Sequence, residues 1–140
     1  MTAAADQIED PGICIIRIRA GEKIAPKLAG LLHPVDPATF HEYRLGAHTP
    51  VELHYHDFDE YWWFTAGRPR VTLRTPGGVT REFELQPGDL VAAVRGVEHT
   101  LWADHELVYF QFSSVRQGTE GTEGTEGTVR EGHLTRGEQR

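Results

Sequence analysis

Cysteine occurs once, at Cys14, so no internal disulfide can form and a reducing, cytoplasmic home is expected. Basic residues are scarce: 14 Lys and Arg stand against 21 Asp and Glu, a formal charge of −7. That balance opposes nucleic-acid binding, which rests on neutralising phosphates with Lys and Arg. No apolar run nears the roughly 20 residues that span a bilayer; Ile13–Ile16 is among the longest. No membrane partner is expected. The stretch Met1–Pro11 holds Asp6, Glu9 and Asp10 but no Lys or Arg, unlike a secretory leader. Long helices also find little support, because 15 glycines and 8 prolines recur between short apolar stretches. With 140 residues, 39% of them hydrophobic, the chain has room for one domain with a small core.

What is present falls into two parts. Residues 117–140 repeat Gly-Thr-Glu three times and contain two aliphatic residues, Val129 and Leu134, with no aromatics. Such a segment buries too little to offset its ordering entropy, so it reads as a disordered tail. Residues 1–116 then form the domain. About nine short strands are expected, at 13–19, 38–45, 51–56, 60–66, 71–75, 79–85, 90–94, 100–103 and 107–113. Turns fall at Gly67-Arg68-Pro69, Pro76-Gly77-Gly78 and Pro87-Gly88-Asp89. Gly21–Leu32 has room for one short helix or turn. Many short strands at this spacing predict an antiparallel all-β barrel.

Eight histidines are the informative excess, and five lie between positions 33 and 56. Residues i and i+2 of a strand share a face, so His54 and His56 project together. Glu60 keeps their parity at the start of the next strand, and His99 opens a later one after Gly96-Val97-Glu98. Three neutral imidazoles and a carboxylate suit one divalent transition metal: Fe, Mn, Ni or Zn. On an octahedral ion, four protein ligands leave about two positions open to substrate, water or oxygen.

These residues carry a family resemblance. His54-x-His56-x-x-x-Glu60, then six residues to Gly67, resembles the first motif of the cupins. Gly88, five residues, Val94, then Gly96 and His99 resembles the second. Val94 stands where the family usually has proline, and seven residues separate Gly46 from His54 where the family has five. Neither departure touches a ligand position. The resemblance covers residues 46–99 and implies a double-stranded β-helix, or jelly-roll, barrel. Carried over position by position, it makes His54, His56, Glu60 and His99 the metal ligands, facing the barrel interior. Small members commonly pair through an N-terminal strand, so a homodimer through Ile13–Ile18 is implied.

Other residues are candidates for the chemistry. Glu52 shares the parity of His54 and could serve as a general base or rim carboxylate. Trp62 follows Glu60 by two positions and is expected to wall a substrate site, with Trp63 facing outward and Phe64 filling core. Tyr109 and Gln111 share one face of the last strand and offer a phenol and an amide to a ligand. The opposite face, Val108-Phe110-Phe112, has the stronger claim to the core. Trp102 could line or cap the cavity, and His48 and His105 read as surface residues. The expected function is a metal-dependent, dioxygenase-type enzyme acting on a small organic molecule. A sugar isomerase or epimerase, or a non-catalytic metabolite-binding protein, are the alternatives the same fold allows.

Overall fold

The computed structural model describes residues 7–10, 13–23, 35–114, 128–130 and 133–134. The barrel strands are β1 Gln7–Asp10, β2 Ile13–Arg17, β3 Val35–Leu45, β4 Glu60–Ala66, β5 Arg70–Arg74, β6 Thr80–Glu84, β7 Asp89–Ala93, β8 Glu98–Trp102 and β9 Leu107–Ser114. Every pair among them is antiparallel. Six strands form one sheet in the order β1-β2-β7-β4-β9-β3, and three form another in the order β6-β5-β8. This is the all-β jelly roll expected. The helix or turn anticipated within 21–32 lies largely outside the described residues. Among those described, no helix is long and apolar enough to cross a membrane. In the C-terminal segment, β10 Thr128–Arg130 pairs with β11 His133–Leu134, where the composition led to no structure.

One expected strand is corrected. Residues 51–56 form no continuous strand; among the described residues, an isolated antiparallel bridge joins His54 to His99. Pro50 has no N–H to give a ladder. The Val51 carbonyl is taken up instead by the Thr100 hydroxyl. Thus the segment bearing the first two histidines leaves the larger sheet after β3, meets β8 of the smaller one, and returns to the larger sheet at β4.

The larger sheet is apolar on both faces, which explains why β7 is buried at every position instead of alternating. Between the sheets lie Ile15, Phe64, Val71, Leu73, Phe83, Val91, Leu101 and Leu107, with Trp62 and Tyr109 at the end nearest the histidines. On the larger sheet's other face lie Cys14, Ile16, Ile18, Tyr61, Leu90, Ala92 and Phe112, with Trp63 and Phe110 against them. The face expected to be core on β9 is therefore a second apolar layer outside the barrel, and Phe40 stacks on its Phe112 at 4.4 Å.

Two motif glycines are required by close approach and backbone conformation together. Gly67 has φ +96°, and a Cβ there would lie 2.8 Å from the Glu106 carbonyl oxygen. Gly88 has φ +98°, and a Cβ would meet the Ile18 carbonyl oxygen at 2.5 Å. Any L side chain at either site would have to push backbone aside. The displaced Gly46 has no such demand; the left-handed residue in that loop is His48, at φ 58°.

Candidate metal centre

The site forms where the two sheets meet. Across the isolated bridge, His99 N–H donates to the His54 carbonyl at 2.8 Å and His54 N–H returns to the His99 carbonyl at 3.3 Å. A directly bonded antiparallel pair puts both side chains on one face. Their imidazole centroids are 4.5 Å apart, and His56 lies 4.9 Å from His54 and 5.0 Å from His99. Glu60, at the head of β4, aims Oε1 at the group, 3.1 Å from Nε2 of both His56 and His99.

The loop between the second histidine and Glu60 is pinned at both ends. Asp59 is fully buried; its carboxylate accepts from Arg95 N–H and its backbone exchanges hydrogen bonds with Ser114. Gly96 N–H donates to the His56 carbonyl, tying the second motif's turn to the first motif. Gly96, at φ +85°, is the residue that turns there. The Phe58 ring stacks on His56 at 4.7 Å. At the start of β8, next to His99 in sequence, buried Glu98 takes a bidentate ion pair from Arg74 at 2.7 and 2.9 Å.

All four side chains are buried, and one donor atom from each lies within 4.8 Å of every other. Donors on a shared ion at about 2.0–2.2 Å can be at most about 4.4 Å apart, so shifts of a few tenths of an ångström close the set. The tautomers also fit. His54 Nδ1 lies 2.6 Å from the Glu52 carbonyl and His99 Nδ1 lies 3.0 Å from the Val97 carbonyl. A carbonyl only accepts, so each Nδ1 carries the proton and each Nε2 presents a lone pair. Nε2 of His99 is buried and, though close to Glu60, has no hydrogen bond. Two acceptor atoms held 3.1 Å apart without a proton between them repel; a cation relieves that. The group can hold a metal ion.

Electrostatics agree. Burial alone would push the Glu60 carboxyl up, but the imidazoles of His56, then His99, beside it hold it well below the usual carboxylate range. The carboxylate is therefore ionised and ready to ligate.

A cavity of about 360 Å³ opens on these residues. His54, Glu60, Trp62, Tyr109 and Gln111 line it; Tyr43, Val51 and Leu101 complete the wall. Trp62 stands edge-on to His99 with ring centroids 5.0 Å apart. Burial, then Glu60 and Tyr43, push the Tyr109 phenol up to about 12, so it is a neutral hydrogen-bonding group.

Glu52 is exposed and does not line the cavity, because residues 51–53 follow no ladder and strand parity does not carry back from His54. Its contribution is the main-chain carbonyl that orients His54. Trp102 does not line the cavity either; it lies beside exposed His48, at 5.4 Å. His99 already sits inside β8, so its parity passes to Leu101 instead. Tyr43 was not anticipated as a wall; it lies opposite Tyr109 in the β3–β9 register, a partner its own sequence neighbourhood does not reveal.

Comparison with known proteins places the fold. No family model matches the sequence. A stretch of 66 residues, 45% of this chain, is 38% identical to the uncharacterised protein y4oW of Sinorhizobium fredii, and the match spans 28% of that protein. Among solved structures, dTDP-4-dehydrorhamnose 3,5-epimerase of Sulfolobus tokodaii superposes with a TM-score of 0.64 at 13% identity, covering 81% of this chain and 76% of that one. The Streptomyces albus HEPD structure, with 2-hydroxyethylphosphonate and Fe(II) bound, superposes with a TM-score of 0.50 at 19% identity, covering 79% of this chain and 23% of that one. Both are cupin-fold proteins, and the chain described here has the cupin fold.

Proposed function

We propose that His54, His56, Glu60 and His99 hold one divalent transition metal, and that the protein is a metal-dependent oxygenase acting on a small organic molecule. The observation that carries this reading is the buried three-histidine, one-carboxylate group opening on an aromatic-walled cavity. When bound, such an ion supplies Lewis acidity, open coordination positions and, in the case of iron, electrons for oxygen chemistry. The chain's own residues do the rest. Glu52 and Val97 carbonyls keep two imidazoles in the ligating tautomer. Trp62, Leu101 and Val51 exclude water and offer a flat apolar wall, while Tyr109 and Gln111 give a ligand neutral hydrogen bonds.

Epimerisation of a sugar is supported less well, despite the likeness to the epimerase. Carbon deprotonation needs a base, and apart from the ligand set the cavity's titratable groups are the phenols Tyr43 and Tyr109. A phenol with its pKa near 12 is a weak participant at neutral pH. The functional unit is residues 1–116. The implied homodimer would form through β1 rather than β2, because β2 already has neighbours on both sides.

The test is anaerobic reconstitution with iron, followed by oxygen-electrode screening against thiols, diketones and catechols. At least one compound should drive oxygen uptake that His99→Ala abolishes, and a chain ending at Arg116 should keep it. A metal-loaded protein that binds ligands yet never consumes oxygen would sink the oxygenase reading in favour of metabolite binding.

A further inference from the structure

The cavity wall narrows the chemistry of the ligand. None of its eight lining residues is Lys or Arg. Arginines of the barrel strands have acidic partners of their own: Arg74 with Glu98, Arg17 with Asp89, Arg70 with Asp104, and Arg44, next to Tyr43, with Glu42 and Glu106. Away from the ligand set, the polar groups lining the wall are the two phenols and the Gln111 amide. A charge taken out of water without a partner is strongly disfavoured. A divalent ion on three neutral imidazoles and one carboxylate keeps a single net positive charge, which one anionic oxygen neutralises. A second anionic group on the same molecule would meet the apolar Trp62, Leu101 and Val51 or the uncharged donors of the phenols and Gln111, with no cation in the wall to balance it. The volume of about 360 Å³ equals the share of roughly a dozen water molecules at about 30 Å³ each.

We infer that this cavity selects a small ligand carrying one negative charge or none, on the order of a dozen non-hydrogen atoms, and rejects dianions of the same shape. One oxygen of the ligand faces the metal ligands, and a neutral polar group meets Tyr109 and Gln111. The metal-facing end and the allowance of one negative charge rest on the proposed function above; the exclusion of a second charge rests on the wall alone. Among lining residues, Gln111 and Tyr43 are the positions where a cation would rewrite that selection. Gln111 lies on β9 opposite Trp62 across the β4–β9 ladder, and Tyr43 is 42% exposed, so an arginine there can be accommodated.

Acetylacetone and malonate test this, since they share a skeleton and differ by two negative charges. Calorimetric titration of the metal-loaded protein at neutral pH should show acetylacetone binding at least tenfold tighter than malonate. Gln111→Arg, and separately Tyr43→Arg, should move that ratio toward malonate by tenfold or more, with metal content assayed before and after each titration. Malonate binding as tightly as acetylacetone, an unchanged ratio in a folded arginine variant, or no binding of either probe to metal-loaded protein would overturn the inference. Protein that takes up no metal but still prefers acetylacetone would sink the metal reading and leave the charge selection standing.

Discussion

Along β4, Tyr61 and Trp63 point to one side of the six-stranded sheet, while Glu60, Trp62 and Phe64 point to the other. β9 repeats the pattern, with Phe110 and Phe112 outward and Tyr109 and Gln111 inward. Both faces are aromatic and both are largely buried, so hydrophobicity does not tell them apart. What differs is what faces the aromatics. Outside, Phe112 meets Tyr61 and Phe40, ring upon ring. Inside, Trp62 meets a histidine, and a cavity separates the walls. The outer face is closed packing; the inner face is packing interrupted by polar donors that converge on a point.

The largest effect that sharpens this contrast is on metal content. His56→Ala and His99→Ala should each fall from one metal per chain to background after dialysis, measured by atomic absorption. His105→Ala, on an exposed turn, and Phe112→Ala, on the outer face, should stay at one per chain. Equal loss in His105→Ala would overturn the ligand assignment. Because imidazoles and carboxylates must be deprotonated to ligate, wild-type metal content should fall as pH is lowered.

Phe112→Ala addresses the other face. The side chain is 1% exposed and stacks against Phe40 and Tyr61. Its truncation should destabilise the metal-loaded protein by about 3–5 kcal/mol in denaturant unfolding. A change under about 1 kcal/mol would mean that the outer layer collapses around the gap and is not closed packing.

The ligand set was legible because it depends on local spacing and on motifs in which chemistry and backbone demands coincide. His54, His56 and Glu60 fall within seven residues, and Gly67 and Gly88 occupy positions that only glycine fits comfortably. The strands were legible from apolar runs, with ends displaced by one to three residues in most cases. What sequence could not give was anything set by partners far along the chain. Glu52 failed as an inward residue because parity holds only inside a ladder, and residues 51–53 have none. Tyr43 joins the wall through its register with Tyr109, 66 positions away, which no local pattern encodes. The choice of inner face on β9 misled for a related reason: with apolar layers on both sides of the sheet, the more apolar face is not the inner one.

A smaller effect should appear in alkali. Tyr109, inside, and Tyr61, outside, both have phenols pushed up, chiefly by burial. A phenol whose folded pKa is raised contributes stability that is complete below its unfolded pKa of about 10 and is lost as pH rises through the folded value. For Tyr109, with a folded value of about 12, the loss is at most roughly 3 kcal/mol between pH 10 and 12. Glu60 is part of the cause for Tyr109 but not for Tyr61. A bound cation offsets the Glu60 charge, so metal loading should reduce the alkaline loss through Tyr109. The comparison of wild type with Tyr109→Phe, each with and without metal, reads that difference from unfolding curves. A metal effect that persists unchanged in Tyr109→Phe would show that the phenol and the metal site are not coupled.

The smallest effect separates two neighbouring indoles. Trp62 is 3% exposed, lines the cavity and stands edge-on to His99. Trp63 belongs to the outer layer and stacks on Phe110 at 5.9 Å. Both indole N–H groups are buried without a hydrogen-bond acceptor, so hydrogen bonding does not distinguish them. Replacing each with phenylalanine keeps an aromatic ring, removes similar volume and leaves the metal ligands untouched. Trp62→Phe should weaken acetylacetone binding about tenfold, or about 1.4 kcal/mol, because it removes part of the flat wall against which a ligand packs. Trp63→Phe should bind like wild type while losing comparable thermal stability. Calorimetric titration of the two variants beside their melting curves makes the comparison, and the matched stability loss is its internal control. If both lose affinity equally, the ligand reports general loosening of the sheet, and the division of labour between its faces fails. If only Trp63→Phe loses affinity, the cavity lies on the wrong side of β4.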